Sequence, residues 1–214
     1  MTVSPVDFAS LLCSRLCHDL LSPVGALNNG LELLADETDP AMRERVMELL
    51  ADSARASASK LKFFRLAFGA AGGFGELVDT HEARTAIGGL VAENKRITFV
   101  WAVETPAMPK SAVKVLLNLA LIATESLVRG GTMEVGGEEN DGQLEIVVKI
   151  EGGRIVLDPE IRRTLVEGEG VHDVTPRAAA AYMINTLVKD AGGTVIVSEP
   201  ADGIMIFGAV LNAR

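Results

Sequence analysis

Residues 16–34 read LCHDLLSPVGALNNGLELL. Leu16, Leu20, Val24, Leu27, Leu31 and Leu34 step by three or four, and Phe8, Leu11 and Leu12 extend the stripe upstream. That spacing predicts one long amphipathic helix. ADETDPAM (35–42) supplies a turn, with Thr38 or Asp39 as N-cap and Pro40 near the first helical position. A second stripe follows through Met42, Val46, Leu49, Leu50, Ser53, Ser57, Leu61, Phe64 and Phe68. Two such helices with a short connection pack antiparallel, but a helical hairpin alone closes no core. A second copy would complete a four-helix bundle, so a homodimer is expected.

The glycine-rich run GAAGGFG (69–75) is the best domain boundary, giving a hairpin over 1–70 and a second domain over 76–214. There the pattern turns to mixed helix and strand. RITFVWAV (96–103), GTMEVGG (131–137) and QLEIVVKI (143–150) read as strands, the last two around the turn signal ENDG (139–142). GTVIVSE (193–199) and GIMIFGAVL (203–211) read as a closing strand pair. PKSAVKVLLNLALIATESLV (109–128), PEIRRTLVE (159–167) and TPRAAAAYMINTLVKDAG (175–192) read as helices. The fold class expected is α+β, a helical hairpin followed by an α/β sandwich.

Composition narrows the function. Hydrophobic residues make up 48%, enough for a core, but aromatics only 4%, so base stacking is poorly supplied. The net charge of −9 and the lack of a basic run argue against nucleic-acid binding. No apolar run approaches membrane-spanning length, and MTVSPVDFAS has no leader pattern; a soluble cytoplasmic protein is expected. Cys13, Cys17 and His18 form C-x-x-x-C-H, one residue too long for haem attachment and too few ligands for zinc. The two cysteines read as reduced, helix-packing residues.

His18 lies two residues from both Leu16 and Leu20, so its ring points away from the apolar stripe. Ser14, Leu21, Ser22 and, two turns on, Gly25 surround it and are mostly small. Pro23 removes a backbone donor just after it, which predicts a bend. A neutral imidazole is nucleophilic near pH 7. The Asp19 carboxylate can hold one ring N–H and leave the other nitrogen free to attack phosphorus. Taken alone, a His-Asp pair also suits an ordinary polar surface.

HDLLSPV (18–24) resembles the H-box of two-component sensor histidine kinases. The resemblance makes His18 the phosphoacceptor, Asp19 the adjacent acid, Ser22 the small polar residue and Pro23 the kink; Leu21 departs from the usual basic residue. It implies a dimerisation-and-phosphotransfer hairpin followed by an ATPase-type α/β sandwich. LLNLALIATESLVRGG (116–131) resembles the N-box, with Asn118 matched but Ile122 at the position of the magnesium-binding Asn. LEIVVKIEGGRI (144–155) resembles the strand entering the next nucleotide box, with Ile150 where an aspartate binds adenine and Arg154 where a glycine stands. AAAAYMINTLVKDAGG (178–193) resembles the last box, with Ala178, Ala179, Ala180 and Ala181 at the Gly-Leu-Gly-Leu positions. VEGEGVHDVTP (166–176) is short for an ATP lid.

An isobutyl-type side chain cannot hold Mg²⁺ or accept from adenine, and alanine keeps the backbone away from phosphates. The expectation is a degenerate ATPase-like domain with no bound cofactor or metal. A dimeric H-box protein of this kind resembles the ChpT-type histidine phosphotransferases of alphaproteobacteria. That resemblance implies a cell-cycle phosphorelay: phosphate passes from the receiver domain of a hybrid histidine kinase to His18, then to the receivers of response regulators. Mg²⁺ would come with the receiver, and Ser22 is a candidate for positioning a hydrolytic water.

Residues 57–65 of the second helix should lie beside His18. Lys60, Lys62, Phe63 and Arg65 are then either receiver contacts and phosphate-neutralising charges, or a solvated face with Phe63 packed on the second domain. His81 and His172 lack an H-box context and read as non-catalytic. Glu169 and Asp173 are lid remnants or surface charge. An active ATP-using kinase core and a non-catalytic receiver-binding module are the competing readings.

Overall fold

The computed structural model describes residues 3–69, 77–168 and 174–212 of the 214. Helix α1 runs Pro5–Asp36 and α2 runs Pro40–Ala67. Ser4 caps α1, its hydroxyl accepting from the Asp7 N–H at 3.1 Å, and Pro5 opens the helix where no donor is needed. Asp39, one of the two expected caps, starts α2 by accepting from the Ala41 N–H at 3.1 Å.

The helices lie side by side in opposite directions: Gly30 faces Leu50 near the connection, and Asp19 meets Lys60 further along. A Cβ on Gly30 would stand 2.8 Å from the Leu50 side chain, so the missing side chain sets how closely the helices approach. No helix among the described residues is long and apolar enough to cross a membrane.

Beyond α2 come β1 (Leu77–Asp79), α3 (Thr80–Val91), β2 (Ile97–Val103), β3 (Ala107–Pro109), α4 (Lys110–Ser126), β4 (Gly131–Asn140) and β5 (Gln143–Glu151). Helix α5 (Pro159–Glu167), a 3₁₀ turn (Pro176–Ala178), α6 (Ala179–Asp190), β6 (Thr194–Val197) and β7 (Ile204–Asn212) complete the chain. The main sheet has the order β2-β4-β5-β7-β6. Among the described residues of this sheet β2 and β4 pair in parallel and the other neighbours antiparallel, and α4 makes the crossover between β2 and β4. Asp141 and Gly142, both at positive φ (49° and 75°), form the two-residue turn read from ENDG.

Alternation along the strands buries one sheet face. Met133 and Val135, Ile146, Val148 and Ile150, and Met205, Phe207 and Ala209 point into one core with the nearly all-buried α4 and with α6. Val100, Val147 and Ile206 lie on the opposite, partly exposed face. Three elements escaped the sequence reading: α3, and the strands β1 and β3 that pair as an antiparallel ribbon.

The last turns of α2 belong to the core of the α/β unit. Phe63, Phe64, Leu66 and Ala67 are buried in it, and Asn118 Nδ2 on α4 donates to the Ala67 carbonyl at 3.2 Å. The glycine-rich boundary lies outside the described residues except for Gly69. His172, Asp173 and Glu169 also lie outside them.

Candidate functional site

One helix carries the chemistry. Arg15 and Asp19 are four apart on α1 and so share a face, while His18 is turned toward solvent. The His18 side chain is 84% exposed, and that of Asp19 is 17% exposed. His18 Nδ1 lies 3.1 Å from Asp19 Oδ1, which leaves Nε2 free. The other carboxylate oxygen, Oδ2, accepts from Arg15 Nε at 2.7 Å. A carboxylate accepting on both sides is fixed in rotation, and so fixes the imidazole that it holds.

Arg15 reaches across to the α/β unit. Its Nη2 donates to Glu125 Oε1 on α4, and its Nη1 lies 3.4 Å from the Arg177 carbonyl in the 3₁₀ turn. Burial works against the Arg15 charge, but Glu125 and Asp19 outweigh it, and the guanidinium holds its proton more tightly than usual. Loss of hydration raises the Glu125 carboxyl above its ordinary range; Arg15 opposes that rise and Asp19 adds to it. A cleft of about 610 Å³ opens between α1 and the α/β unit, lined by these groups with Ser14, His18 and Thr175–Arg177.

Pro23 lies inside α1 and gives the Asp19 carbonyl no N–H. Lys60 Nζ supplies the missing donor at 3.2 Å and also pairs with Glu93 Oε2 at 3.2 Å. Lys60 is therefore tied inward, which corrects its reading as a receiver-facing charge. Phe63 needs a firmer correction. It is fully buried, because the end of α2 plugs the α/β core, so its ring is no partner contact in this structure.

Arg65 and Lys62 are exposed on α2, as are Ser14, Leu21 and Ser22 on α1, with Leu21 at 69%. Gly25 is half-buried, with open space where a side chain would stand. Ser22 does not line the His18 cleft. It borders a second groove with Pro23, Lys60 and Glu93 between the helix pair and α3. The cysteines are free and exposed, on the side of α1 that also carries Val24. His81, one residue into α3, is exposed and far along the chain from this cleft's lining.

The positions read as nucleotide boxes point into the core. Ile122, Ile150, Ala178 and Ala180 are all buried within the interior, Ile150 completely. The side chains that would meet adenine or Mg²⁺ are packed against apolar neighbours instead. Asn118 Nδ2 donates to the Ala67 and Lys114 carbonyls at 3.2 and 2.8 Å, while its buried Oδ1 has no hydrogen-bond partner among the described residues. Among the described residues no cluster of His, Cys, Asp and Glu has the makings of a metal site.

Arg15, Glu125 and the Arg177 turn were not anticipated. The Arg15–Asp19 spacing was a visible signal; Glu125, 110 positions away, was not.

Comparison with known proteins agrees with this architecture. Residues 80–203 match the family model of the histidine phosphotransferase C-terminal domain. The chain is 34% identical over 205 residues to the protein phosphotransferase ChpT of Brucella abortus (strain 2308), covering 96% of each sequence. It superposes on the solved structure of a bacterial phosphotransferase with a TM-score of 0.86, at 32% identity over 98% of both chains. The histidine kinase domain of a blue-light-activated kinase from Erythrobacter litoralis superposes at 0.50 with 10% identity, covering 89% of this chain and 96% of that one, a likeness of fold alone.

Proposed function

The chain belongs to the histidine phosphotransferase family, and we propose that His18 is its phosphate carrier, loaded from and unloaded to aspartates on separate receiver domains. The observation that carries this reading is His18 itself, open to solvent with Nδ1 at the Asp19 carboxylate and Nε2 free.

The transfer is a displacement at phosphorus. The Nε2 lone pair forms the N–P bond as the P–O bond to the receiver's aspartate breaks, and the bonding electrons leave with that carboxylate. The Nδ1 proton stays at Asp19 or passes to solvent. Such transfers need alignment and charge neutralisation more than acid–base work. The donor is the receiver of a hybrid histidine kinase, the acceptors are receivers of response regulators, and Mg²⁺ arrives on the receiver. The reverse reaction follows the same path.

ATP has no part in this reading. It is supported by the apolar, buried side chains at Ile122, Ile150, Ala178 and Ala180. A homodimer is also part of it: Leu21, Val24 and Leu31 on α1 and Met47 and Leu61 on α2 are exposed apolar residues that a second helix pair would cover. Ser22, in the neighbouring groove, keeps at most an indirect place in dephosphorylation.

The test is a transfer assay between two receivers, with and without ATP. Phosphate should move from a charged receiver through this protein to a second one, and His18→Ala should abolish transfer while binding persists. Labelling of His18 from γ-labelled ATP would favour an active kinase. Transfer that survives His18→Ala would sink the proposal, and binding without any transfer would leave a receiver-binding module.

A further inference from the structure

We propose that Arg15 and Glu125 form a clasp through which the α/β unit sets the orientation of the His18 ring, so that this unit contributes alignment to phosphoryl transfer. The inference rests on the reading of His18 as phosphate carrier.

Asp19 can orient His18 only if it is itself held. Its backbone is fixed by α1, but its carboxylate can rotate, and its sole side-chain partner besides His18 among the hydrogen bonds of the described residues is Arg15. Arg15 is a long side chain with several rotamers, so it holds Asp19 steady only if its far end is anchored. Both far-end contacts come from the α/β unit: the Glu125 carboxylate on α4 and the Arg177 carbonyl. The Arg15 side chain is 8% exposed, so solvent gives it little alternative. The chain of contacts runs His18, Asp19, Arg15, Glu125 and crosses from the helix pair into the unit that has lost its nucleotide contacts.

The arrangement also selects a tautomer. An Asp19 oxygen facing Nδ1 favours the proton on Nδ1, which leaves the Nε2 lone pair to attack. With Arg15 removed, Asp19 swings and the tautomer bias relaxes. Arg15 and Glu125 are thus positioning residues; neither touches the reacting atoms.

The experiment uses the full chain with Arg15→Met and Glu125→Gln. The phosphodonor is a purified receiver domain charged with acetyl phosphate, and the ring is followed by ¹⁵N NMR of His18. Misalignment of a reacting group by about 1 Å costs on the order of 100-fold. We expect the maximal transfer rate to fall by roughly 10- to 100-fold in Arg15→Met, and by less in Glu125→Gln. KM for the charged receiver should stay unchanged in both, and the neutral His18 population should shift toward the Nε2-protonated tautomer.

Wild-type rate and tautomer ratio in either folded variant would overturn the clasp. So would a slower rate with an unchanged tautomer ratio, since that marks a merely structural role. Should Arg15→Met fail to fold, Glu125→Gln decides alone, because it keeps the shape of a partly exposed side chain and empties no buried space. His18→Ala run beside them separates the two claims: transfer in that variant removes the carrier reading itself, whereas a dead His18→Ala with unaffected clasp variants removes only the clasp.

Discussion

Lys60 Nζ lies 3.2 Å from the main-chain carbonyl of Asp19, the group that Pro23 leaves without its helical donor. A proline in mid-helix removes one hydrogen bond and crowds the preceding turn. Here a lysine from the neighbouring helix supplies a donor at the residue that follows His18. A double-mutant cycle follows from this. Lys60→Ala should cost about 1.5–3 kcal/mol, the range for a hydrogen bond to a charged group. Pro23→Ala restores an N–H for the Asp19 carbonyl, so the same lysine change should cost less in that background. Chemical denaturation of the four proteins checks it, and equal costs in both backgrounds would show that the Glu93 pair alone uses Lys60.

The glycines at the ends of the nucleotide-box-like segments survive for backbone reasons. Gly131 has φ +145°, and a Cβ there would stand 2.1 Å from the Glu151 carbonyl oxygen; at Gly193 it would stand 1.9 Å from that of Val210. Both lie where a helix returns into the sheet, so chain packing explains them without a ligand. Gly131→Ala or Gly193→Ala should therefore destabilise the protein by roughly 2–4 kcal/mol, read as a lower denaturation midpoint. Receiver transfer measured well below that midpoint should stay near the wild-type rate.

Much of the fold could be read from periodicity, because α1, α4, α6 and the strands of the main sheet each have a strong apolar pattern. The β1–β3 ribbon was not readable: Leu77–Asp79 and Ala107–Pro109 are too short to show alternation. Helix α3 was overlooked although Ala83, Ile87 and Leu90 carry a stripe. At the site, the outward turn of His18 followed from its angle to Leu16 and Leu20. Phe63 was left between two readings for a physical reason: from one helix alone, nothing distinguishes a phenyl facing a partner from one capped by another part of the same chain, and the second reading is the one the structure takes. Arg15 was not singled out, because the groups that bury it lie on α4 and in the 3₁₀ turn.

The outward apolar residues of the helix pair predict the oligomeric state. Val24 is 44% and Leu31 58% exposed in the single chain. Charging this seam by Val24→Glu with Leu31→Glu should remove the apolar area that a second copy would cover. Light scattering after gel filtration should change from a dimer mass for the parent to a monomer mass for the variant. A parent that runs as a monomer at all concentrations would remove the four-helix bundle from the proposal.

Ile150 offers the sharpest test of the proposal that the α/β unit binds no nucleotide. Its side chain is fully buried between Met133 and Met205 on the neighbouring strands. Ile150→Asp restores the acid that kinase-like sequences carry there, but it places a carboxylate among apolar groups with no cation among the register neighbours. The expected result is a loss of roughly 3 kcal/mol or more in stability, with no ATP binding by titration calorimetry. Part of that loss should return at low pH, since a carboxyl buried without a partner favours the protonated form. Its folded pKa lies above the unfolded one, so stability is greatest below the unfolded value and falls as pH rises through the folded value. If Ile150→Asp, alone or with Ile122→Asn, bound ATP with Mg²⁺ and labelled His18, the α/β unit would be a kinase site two substitutions from activity rather than a scaffold filled by its own core.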